Sequence, residues 1–253
     1  MRLPLKAILT GFILLLVAGL SETHAQFNGT LEINRYRVSA DGEEKLEGNF
    51  NLSLSPTRIL FSNTEKSLDL MGAMDASSII IRHDREDFVF IGKNEGIVLK
   101  KQELLSMISM MENMKGINQG NQQGGESSYK FTETSETKTI NGYKAEKWLM
   151  ESDTPDEVFH VWLTEDLEIN WGLLSESWLT NLTLFSDLPF SEWMKNGITP
   201  VQVEKYENET LTERVTMENI QERDLPAGHF EVPSGIEVLT FQQLIMKRMN
   251  SGR

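Results

Sequence analysis

The chain has 253 residues, with 38 acidic and 24 basic side chains and a formal net charge of −14. An excess of negative charge repels phosphate backbones and anionic lipid head groups, which argues against nucleic-acid binding and against charge-driven membrane docking. The chain contains no cysteine, so it has no disulfide, no thiol nucleophile and no cysteine for the lipid of a bacterial lipoprotein.

Residues 1–25 have the pattern of a cleavable export signal. Two basic residues precede an apolar run from Ala7 to Leu20, and small residues then frame a cleavage site that ends at Ala25. The apolar run is shorter than the roughly 20 residues that a membrane-spanning helix needs. We therefore expect cleavage after Ala25, a mature chain of residues 26–253, and a periplasmic or secreted location.

The first part of the mature chain has the two-residue periodicity of β-strands. Apolar and polar side chains alternate, and turn residues such as Asp41–Gly42 separate the alternating segments. The strands predicted for this part lie at residues 31–35, 49–54, 58–61, 78–82, 87–91 and 97–99. The pattern predicts an antiparallel meander.

The periodicity then changes to that of a helix. Residues 102–114 lack glycine and proline, and their apolar side chains recur at helical spacing. The residues on this apolar stripe are Leu104, Met107, Ile108, Met111 and Met114. Residues 116–128 follow with the glycine, asparagine and glutamine content of a flexible loop. We expect this loop to lie within one domain, because the strands on either side have the same character.

The second part of the chain returns to strands, with two further helical segments. Asn141–Gly142 is a strong signal for a tight hairpin turn. Strands are predicted at 129–139, 143–151, 158–164, 200–206 and 211–221, helices at 172–184, 191–195 and 239–249, and a closing edge segment at 230–233. Trp148 and Trp162 fall on neighbouring predicted strands, where we expect their rings to stack.

Together these elements predict a mainly β fold of the α+β class. The expected architecture is one large curved antiparallel sheet, or an unclosed barrel, with helices covering its concave face. The predicted domain is single and spans residues 26–253.

The sequence contains no recognisable catalytic motif. It lacks a nucleophile elbow, a phosphate-binding glycine loop and the paired histidines of a zinc site. The mature histidines, His83, His160 and His229, are far apart along the chain. We therefore expect a protein that is not an enzyme and that holds no metal and no cofactor.

Three segments resemble a family of exported bacterial proteins of unknown function, DUF4412. They are Thr139–Trp148 (TINGYKAEKW), Val161–Leu167 (VWLTEDL) and Phe230–Gly235 (FEVPSG), and the resemblance covers mainly residues 128–236. The family is more distantly similar to LolA-like and LolB-like periplasmic lipoprotein carriers. That similarity implies an unclosed barrel around helices, with an apolar cavity for acyl chains.

The favoured hypothesis is a soluble periplasmic binding or carrier protein for an apolar ligand, such as a lipid or a lipoprotein acyl chain. The candidate ligand-binding residues are Leu104, Met107, Ile108, Met111, Trp178 and Leu182. Flexible methionines suit a surface that repacks around varied apolar ligands. An ordinary core-facing helix explains the same stripe, and ordinary core positions explain the tryptophans.

Two other hypotheses stay open. One is an envelope interaction or structural protein without a small-molecule ligand. The other is a hydrolase with an unfamiliar site, which requires a histidine to meet carboxylates in one cleft. The oligomeric state is left open by the sequence.

Overall fold

The computed structural model describes residues 26–63, 68–70, 74–106, 129–151, 156–176 and 190–251. Most of the described chain is β-strand. The strands are β1 (Gly29–Val38), β2 (Glu44–Leu54), β3 (Arg58–Asn63), β4 (Leu68–Leu70), β5 (Met74–Ala76), β6 (Ser78–Arg82), β7 (Asp87–Ile91), β8 (Glu95–Lys100), β9 (Lys130–Ile140), β10 (Tyr143–Glu151), β11 (Glu157–Thr164), β12 (Thr199–Glu207), β13 (Thr210–Glu222) and β14 (Glu237–Thr240).

Short helices connect or follow these strands. Residues 101–106 are helical (α1), and they are followed in chain order by α2 (Ser191–Lys195) and α3 (Phe241–Ser251). Among the described residues, three 3₁₀ turns lie at His83–Arg85, Gly172–Ser175 and Ala227–Phe230.

Twelve of the strands form one sheet that is not closed. Its order is β14-β8-β7-β6-β3-β2-β1-β13-β12-β11-β10-β9, while β4 and β5 pair with each other. All neighbours in the large sheet are antiparallel except β14 and β8, which are parallel. The sheet is therefore mixed, and the expected antiparallel arrangement is confirmed for every pair except the one at this edge. A long crossover after β13 brings the chain into β14 in the same direction as β8, as a parallel pair requires.

One face of the sheet, which we call the core face, carries a continuous apolar cluster. The two-residue alternation of each strand places its apolar side chains on this face. Strands from β8 at one side to β10 at the other contribute, with Leu99, Phe88, Ile81, Ile59, Leu52, Leu31, Met217, Val203, Val161 and Met150. These side chains are all at most 5% exposed, so the core face is the main hydrophobic core of the protein.

The opposite face, the outer face, is covered only in part. A crossover segment (residues 223–236) leads from β13 towards β14, and its Val232 packs on a small outer-face cluster of Ile80, Val89 and Ile91. Arg58 of β3 pairs with Glu231 of this segment at 2.5 Å. Strands β6 and β7 are therefore buried on both faces, which explains their nearly unbroken apolar sequences.

The predicted secondary structure agrees with most of the described elements. The bounds of β6, β7, β10 and α2 match the prediction to the residue, and the other long strands differ by a few residues at their ends. The short pair β4–β5 was not predicted. The edge segment expected at 230–233 is wrong, because residues 227–230 form a 3₁₀ turn and the edge strand is Glu237–Thr240.

Two predictions fall partly outside the described residues. The helix predicted at 102–114 is helical over its described part, which ends at residue 106. The helix predicted at 172–184 begins with a 3₁₀ turn at Gly172–Ser175, and its remainder beyond residue 176 is not described. The loop predicted at 116–128 also lies outside the described residues.

Candidate functional site

Leu104 is the one predicted ligand-binding residue that lies in the described part of the chain. It is 2% exposed and belongs to the cluster on the core face. The other five, Met107, Ile108, Met111, Trp178 and Leu182, lie outside the described residues. The structure thus places the start of the predicted methionine stripe against the core face.

Several other short elements also pack in the apolar cluster of the core face. Trp171 and Leu173 belong to the same cluster, as do Phe190 and Met194 of the α2 region. Trp171 is 2% exposed, and its Nε1 donates a hydrogen bond to Thr199 Oγ1 at 3.2 Å. This satisfied indole is a core residue, as the ordinary explanation of the tryptophans expects.

A groove of about 430 Å³ lies elsewhere on the described surface. It is lined by Gln26, Glu165, Glu168, Ile169, Asn170, Asn196 and Gly197. Six of these seven lining residues are polar, acidic or glycine, so the groove has the wrong chemistry for an acyl chain.

Trp148 and Trp162 do not stack, contrary to the sequence prediction. Trp148 pairs with Val161 and faces the core, whereas Trp162 pairs with Lys147 and faces outward. Directly paired residues lie on the same face of a sheet, and residues next to each other along a strand lie on opposite faces. This register therefore puts the two indoles on opposite faces. Trp148 instead contacts Trp193 of α2 edge to face, at 5.7 Å between ring centroids.

His83 lies in the turn between β6 and β7 and packs against the 3₁₀ turn that starts at Gly172. Its Nδ1 accepts a hydrogen bond from the Leu173 backbone N–H at 3.2 Å. Burial lowers the pKa of His83 below its usual 6.5, and the Asn170 backbone and Asp84 oppose that shift. The neutral ring therefore serves as a structural acceptor between two parts of the chain.

His229 meets a serine that the sequence did not link to it. Its Nε2 lies 2.8 Å from Ser53 Oγ on the outer face of β2. His229 also contacts the Phe230 ring edge to face, at 5.3 Å between centroids. The contact with Ser53 attaches the crossover segment to the sheet, and we assign the serine–histidine pair this anchoring role.

A group of interacting polar side chains is centred on Glu204 of β12, on the outer face. We call it the Glu204 cluster, and it comprises Lys138, His160, Trp162, Gln202, Glu204 and Tyr206. Gln202 Nε2 donates to Glu204 Oε1 at 2.5 Å, and Trp162 Nε1 donates to Glu204 Oε2 at 3.4 Å. The Glu204 side chain is only 14% exposed, so these donors replace the water that its carboxylate loses.

Two cationic or titratable groups also face this carboxylate. Lys138 Nζ is 3.7 Å from Glu204 Oε1 and 3.9 Å from the centroid of the Trp162 ring. His160 Nδ1 is 3.7 Å from Glu204 Oε2, and its ring lies against Tyr206 with centroids 4.2 Å apart. One carboxylate therefore connects β9, β11 and β12.

Burial shifts the titration of three members of the cluster. Desolvation is the largest cause in each, and it lowers the pKa of Lys138, lowers the pKa of His160 and raises the pKa of Tyr206. Each shift disfavours the charged form of the side chain, as expected for groups moved out of water. A cluster of shifted groups is a feature shared by functional sites and by structural networks.

The sequence contained part of the signal for this cluster. His160 and Trp162 alternate with Val161, and Gln202, Glu204 and Tyr206 alternate with Val203, so each strand shows a polar outer face. The pairing of β11 with β12, and the approach of Lys138 from β9, are long-range contacts that a single sequence does not show.

The described part of the chain lacks two other kinds of feature. Within residues that the structure describes, no group of three or more histidine and acidic side chains is placed to hold a metal ion. In the same part of the chain, no helix is long and apolar enough to cross a membrane.

The fold and its faces define a class of protein, a mainly β chain built on one large open sheet with an apolar core face. Within that class the chain belongs to a family, because the model of the Domain of unknown function (DUF4412) matches residues 27–236. The match confirms the resemblance of the three segments and extends it to most of the chain. No curated protein matches the sequence.

Similar solved structures include two of PNGF-II, one in space group P21 and one in C2. They are 15% and 16% identical to this chain, with TM-scores of 0.43 and 0.42. Each match covers 87% of this chain but only 33% and 32% of the PNGF-II chain, so the present chain spans about a third of that protein. A similarity at this level defines neither the fold nor the function of this chain.

Proposed function

We propose that this protein binds an apolar ligand, such as a lipid or a lipoprotein acyl chain, and carries it without catalysis outside the cytoplasm. The observation that supports the proposal is the apolar core face, which is continuous from β8 to β10 on a sheet that does not close. A sheet closed on itself has no free edge, whereas an open sheet leaves a side from which a ligand can enter.

The driving force in this proposal is burial of the ligand's hydrocarbon surface. Removal of apolar surface from water is worth about 25 cal/mol per Å². The ligand would lie between the core face and the helices predicted to begin at residues 102 and 172, an arrangement like that of the LolA and LolB carriers. Leu104 of α1 already contacts this face, and the predicted stripe continues from it to Met107, Ile108 and Met111.

The proposed location rests on residues 1–25, whose pattern is that of an export signal. Removal of this segment would leave a chain more acidic than the precursor, because residues 1–25 carry two basic side chains and one acidic one. Strong negative charge keeps such a chain in solution between membranes. N-terminal sequencing of the exported protein tests this part, with Gln26 as the expected first residue.

Native mass spectrometry of the gently purified, exported protein tests the ligand. We expect a fraction of the protein to carry extra mass that organic solvent extracts as lipid. The delipidated protein should then bind a fluorescent fatty-acid probe in a saturable manner. A protein that arrives without lipid and leaves the probe's emission unchanged would contradict the proposal.

Paired methionine variants locate the binding surface. Met107→Glu and Met111→Glu place a charge on the predicted lining, and we expect about 10-fold weaker probe binding, since a buried charge is strongly disfavoured. Met249→Glu is the matched control, because Met249 is 71% exposed on α3. Circular dichroism should show equal folding of all three variants. Equal probe affinity in the two lining variants and in the control variant would contradict the assignment of Met107 and Met111 to the ligand-binding surface.

One observation favours a second candidate, an envelope interaction protein. Ile245, Met246 and Met249 of α3 are 40%, 57% and 71% exposed, and helical spacing places them close together. Exposed apolar clusters are common at protein interfaces. The lipid-binding measurements separate the candidates, because an interaction protein without a lipid ligand should not bind the fluorescent fatty-acid probe in any variant.

A further inference from the structure

The tip of the β9–β10 hairpin folds over the outer face of the strands beside it. Asn141, in the turn at this tip, donates a side-chain hydrogen bond to the Met217 backbone carbonyl of β13. In the sheet order, β11 and β12 lie between β10 and β13. The tip therefore reaches across two strands, and such a reach requires contacts that hold it there.

Lys138 provides a second contact of this kind. It precedes the turn on β9, yet its ammonium group lies 3.7 Å from Glu204 on β12 and 3.9 Å from the centroid of the Trp162 ring on β11. Ala145, which pairs with Lys138 on β10, is completely buried. The side of the tip that carries Lys138 and Ala145 therefore packs on the outer face of the sheet.

We propose that the Glu204 cluster is an acid-sensitive clasp, which holds the hairpin tip on the sheet at neutral pH and releases it when His160 becomes protonated. The proposal concerns the outer face and does not depend on an apolar ligand at the core face. It assigns a conformational role to side chains that the proposed function leaves unused.

The mechanism is competition and repulsion at one carboxylate. When His160 is neutral, the Glu204 carboxylate interacts with Lys138, Gln202 and Trp162. Protonated His160 would place a second cation 3.7 Å from the same carboxylate, and its charge would repel Lys138. The result is a weaker attachment of β9 to β12, because Lys138 is the cation by which the tip holds Glu204.

All the charged groups that face His160 enter this balance. Glu204 and Tyr206 lie on β12 and Lys147 on β10, while Lys138 and Glu136 lie on β9. Burial and the two lysines lower the pKa of His160, and the two glutamates raise it by less. The charged form is therefore disfavoured while the tip is closed, so protonation favours opening.

The sign of the effect follows from proton linkage. With the tip closed, the pKa of His160 is below 6.5, and an open tip returns the ring to water. The open form then binds more protons at acid pH, so closure is fully favoured above about pH 6.5 and weakens as the pH falls below it.

Hydrogen exchange of the full exported chain tests the clasp. Peptides that cover residues 137–144 are compared at about pH 7.5 and about pH 5, after correction for the intrinsic pH dependence of exchange. We expect the corrected exchange of these peptides to be about 2- to 5-fold faster in acid, the range of a partly exposed charge interaction. Peptides from β6 and β7 should accelerate less, because those strands lie outside the Glu204 cluster.

Three variants distinguish the clasp from general acid destabilisation. His160→Gln should remove the acceleration in acid, while His229→Gln, a change at an exposed histidine elsewhere on the outer face, should retain it. Lys138→Met keeps an apolar stem over Trp162 but no charge, and its tip should exchange as fast at neutral pH as the wild-type tip does in acid. An undiminished acid response in His160→Gln, or equal wild-type exchange at both pH values, would overturn the proposal.

Discussion

The β6–β7 and β9–β10 hairpins are built from the same kind of element but are stabilised in different ways. Strand β7 is buried at all five of its positions, whereas most positions of β9 are exposed. The first hairpin lies inside the sheet, two strands from its β14 edge. It is covered on both faces, by the core face cluster on one side and by the crossover segment on the other. The second forms an edge and depends on a few polar contacts at its tip.

This difference indicates which part of the sheet contributes most to stability and which part opens most easily. A strand covered on both faces is stabilised by apolar burial, which hardly changes with pH or salt. An edge strand held by ion pairs and side-chain hydrogen bonds opens at lower free energy. The predictions that follow compare matched changes in the two hairpins.

The largest contrast is expected between two phenylalanines. Phe88 on β7 is 2% exposed, and Phe131 on β9 is 38% exposed beside Trp193. Phe88→Ala should lower the free energy of unfolding by about 3–5 kcal/mol, because it leaves a cavity in the core. Phe131→Ala should lower it by about 1 kcal/mol. Urea unfolding at neutral pH measures both, and similar losses for the two variants would refute the comparison.

The second contrast is between two ion pairs. Asp87 is 2% exposed, and Arg82 binds it through two hydrogen bonds of 2.6 and 2.9 Å, with Lys100 at 3.1 Å. Removal of one partner from a buried pair leaves an uncompensated charge, so Asp87→Asn should be destabilising by about 3 kcal/mol.

The matched change in the second hairpin is Glu151→Gln. Glu151 pairs with Lys130 at 3.0 Å, but both side chains are exposed, at 46% and 76%. An exposed pair is worth little, so the variant should unfold within about 0.5 kcal/mol of wild type. The urea midpoint in high salt provides a check, since salt should leave the Asp87 effect largely intact. A large loss in Glu151→Gln would show that the edge is stabilised by charge more than we infer.

The two hairpins also show which parts of the structure follow from sequence. Strands β6 and β7 were predicted to the residue, because their apolar runs and the polar turn between them are local features. The β9–β10 hairpin was predicted from Asn141–Gly142, whose residues have positive φ angles of 50° and 94°. Local patterns thus contained most of the element boundaries.

The contacts between distant strands did not follow from the same patterns. The opposite orientation of Trp148 and Trp162 depends on a register between β10 and β11 that alternation alone leaves open. The Glu204 cluster depends on the bend of β9, where the register shifts opposite residues 146–148 of β10. The parallel β14 depends on a crossover whose course a single sequence does not reveal. Of the predicted lining, only Leu104 lies in the described residues, where it packs in the core, and the ligand-binding role of all six residues stays a prediction.

A third contrast concerns the glycines that border the two turns. Gly172 packs on His83 in the β6–β7 turn, has a φ of 44°, and a Cβ added to it would lie 2.4 Å from His83 Nδ1. Gly142 in the β9–β10 turn has a φ of 94°, with no heavy atom within 4 Å of an added Cβ. Gly172→Ala should therefore be destabilising by about 2 kcal/mol or more, and Gly142→Ala by about 1 kcal/mol.

A double variant checks the cause of the Gly172 effect. In a His83→Ala background the clash is absent, so the further loss from Gly172→Ala should shrink to about that of Gly142→Ala. Thermal unfolding of the four proteins of this cycle, with Gly142→Ala beside them, measures the coupling. Additive losses at Gly172 and His83 would show that the close approach is relieved in another way.

The smallest expected effect is the pH dependence that His83 gives to global stability. Burial holds the pKa of the folded-state ring below 6.5. The unfolded chain then binds more protons than the folded chain between the two pKa values, so this part of the stability is complete above about pH 6.5 and decreases as the pH falls through that range. The urea midpoint should therefore be lower at about pH 5 than at about pH 7.5.

His83→Gln should reduce this pH difference, since glutamine does not titrate, and His229→Gln should not. Comparison with His160→Gln separates the two hairpins, because loss of the clasp changes exchange at the tip while loss of the His83 ring changes the unfolding of the whole sheet.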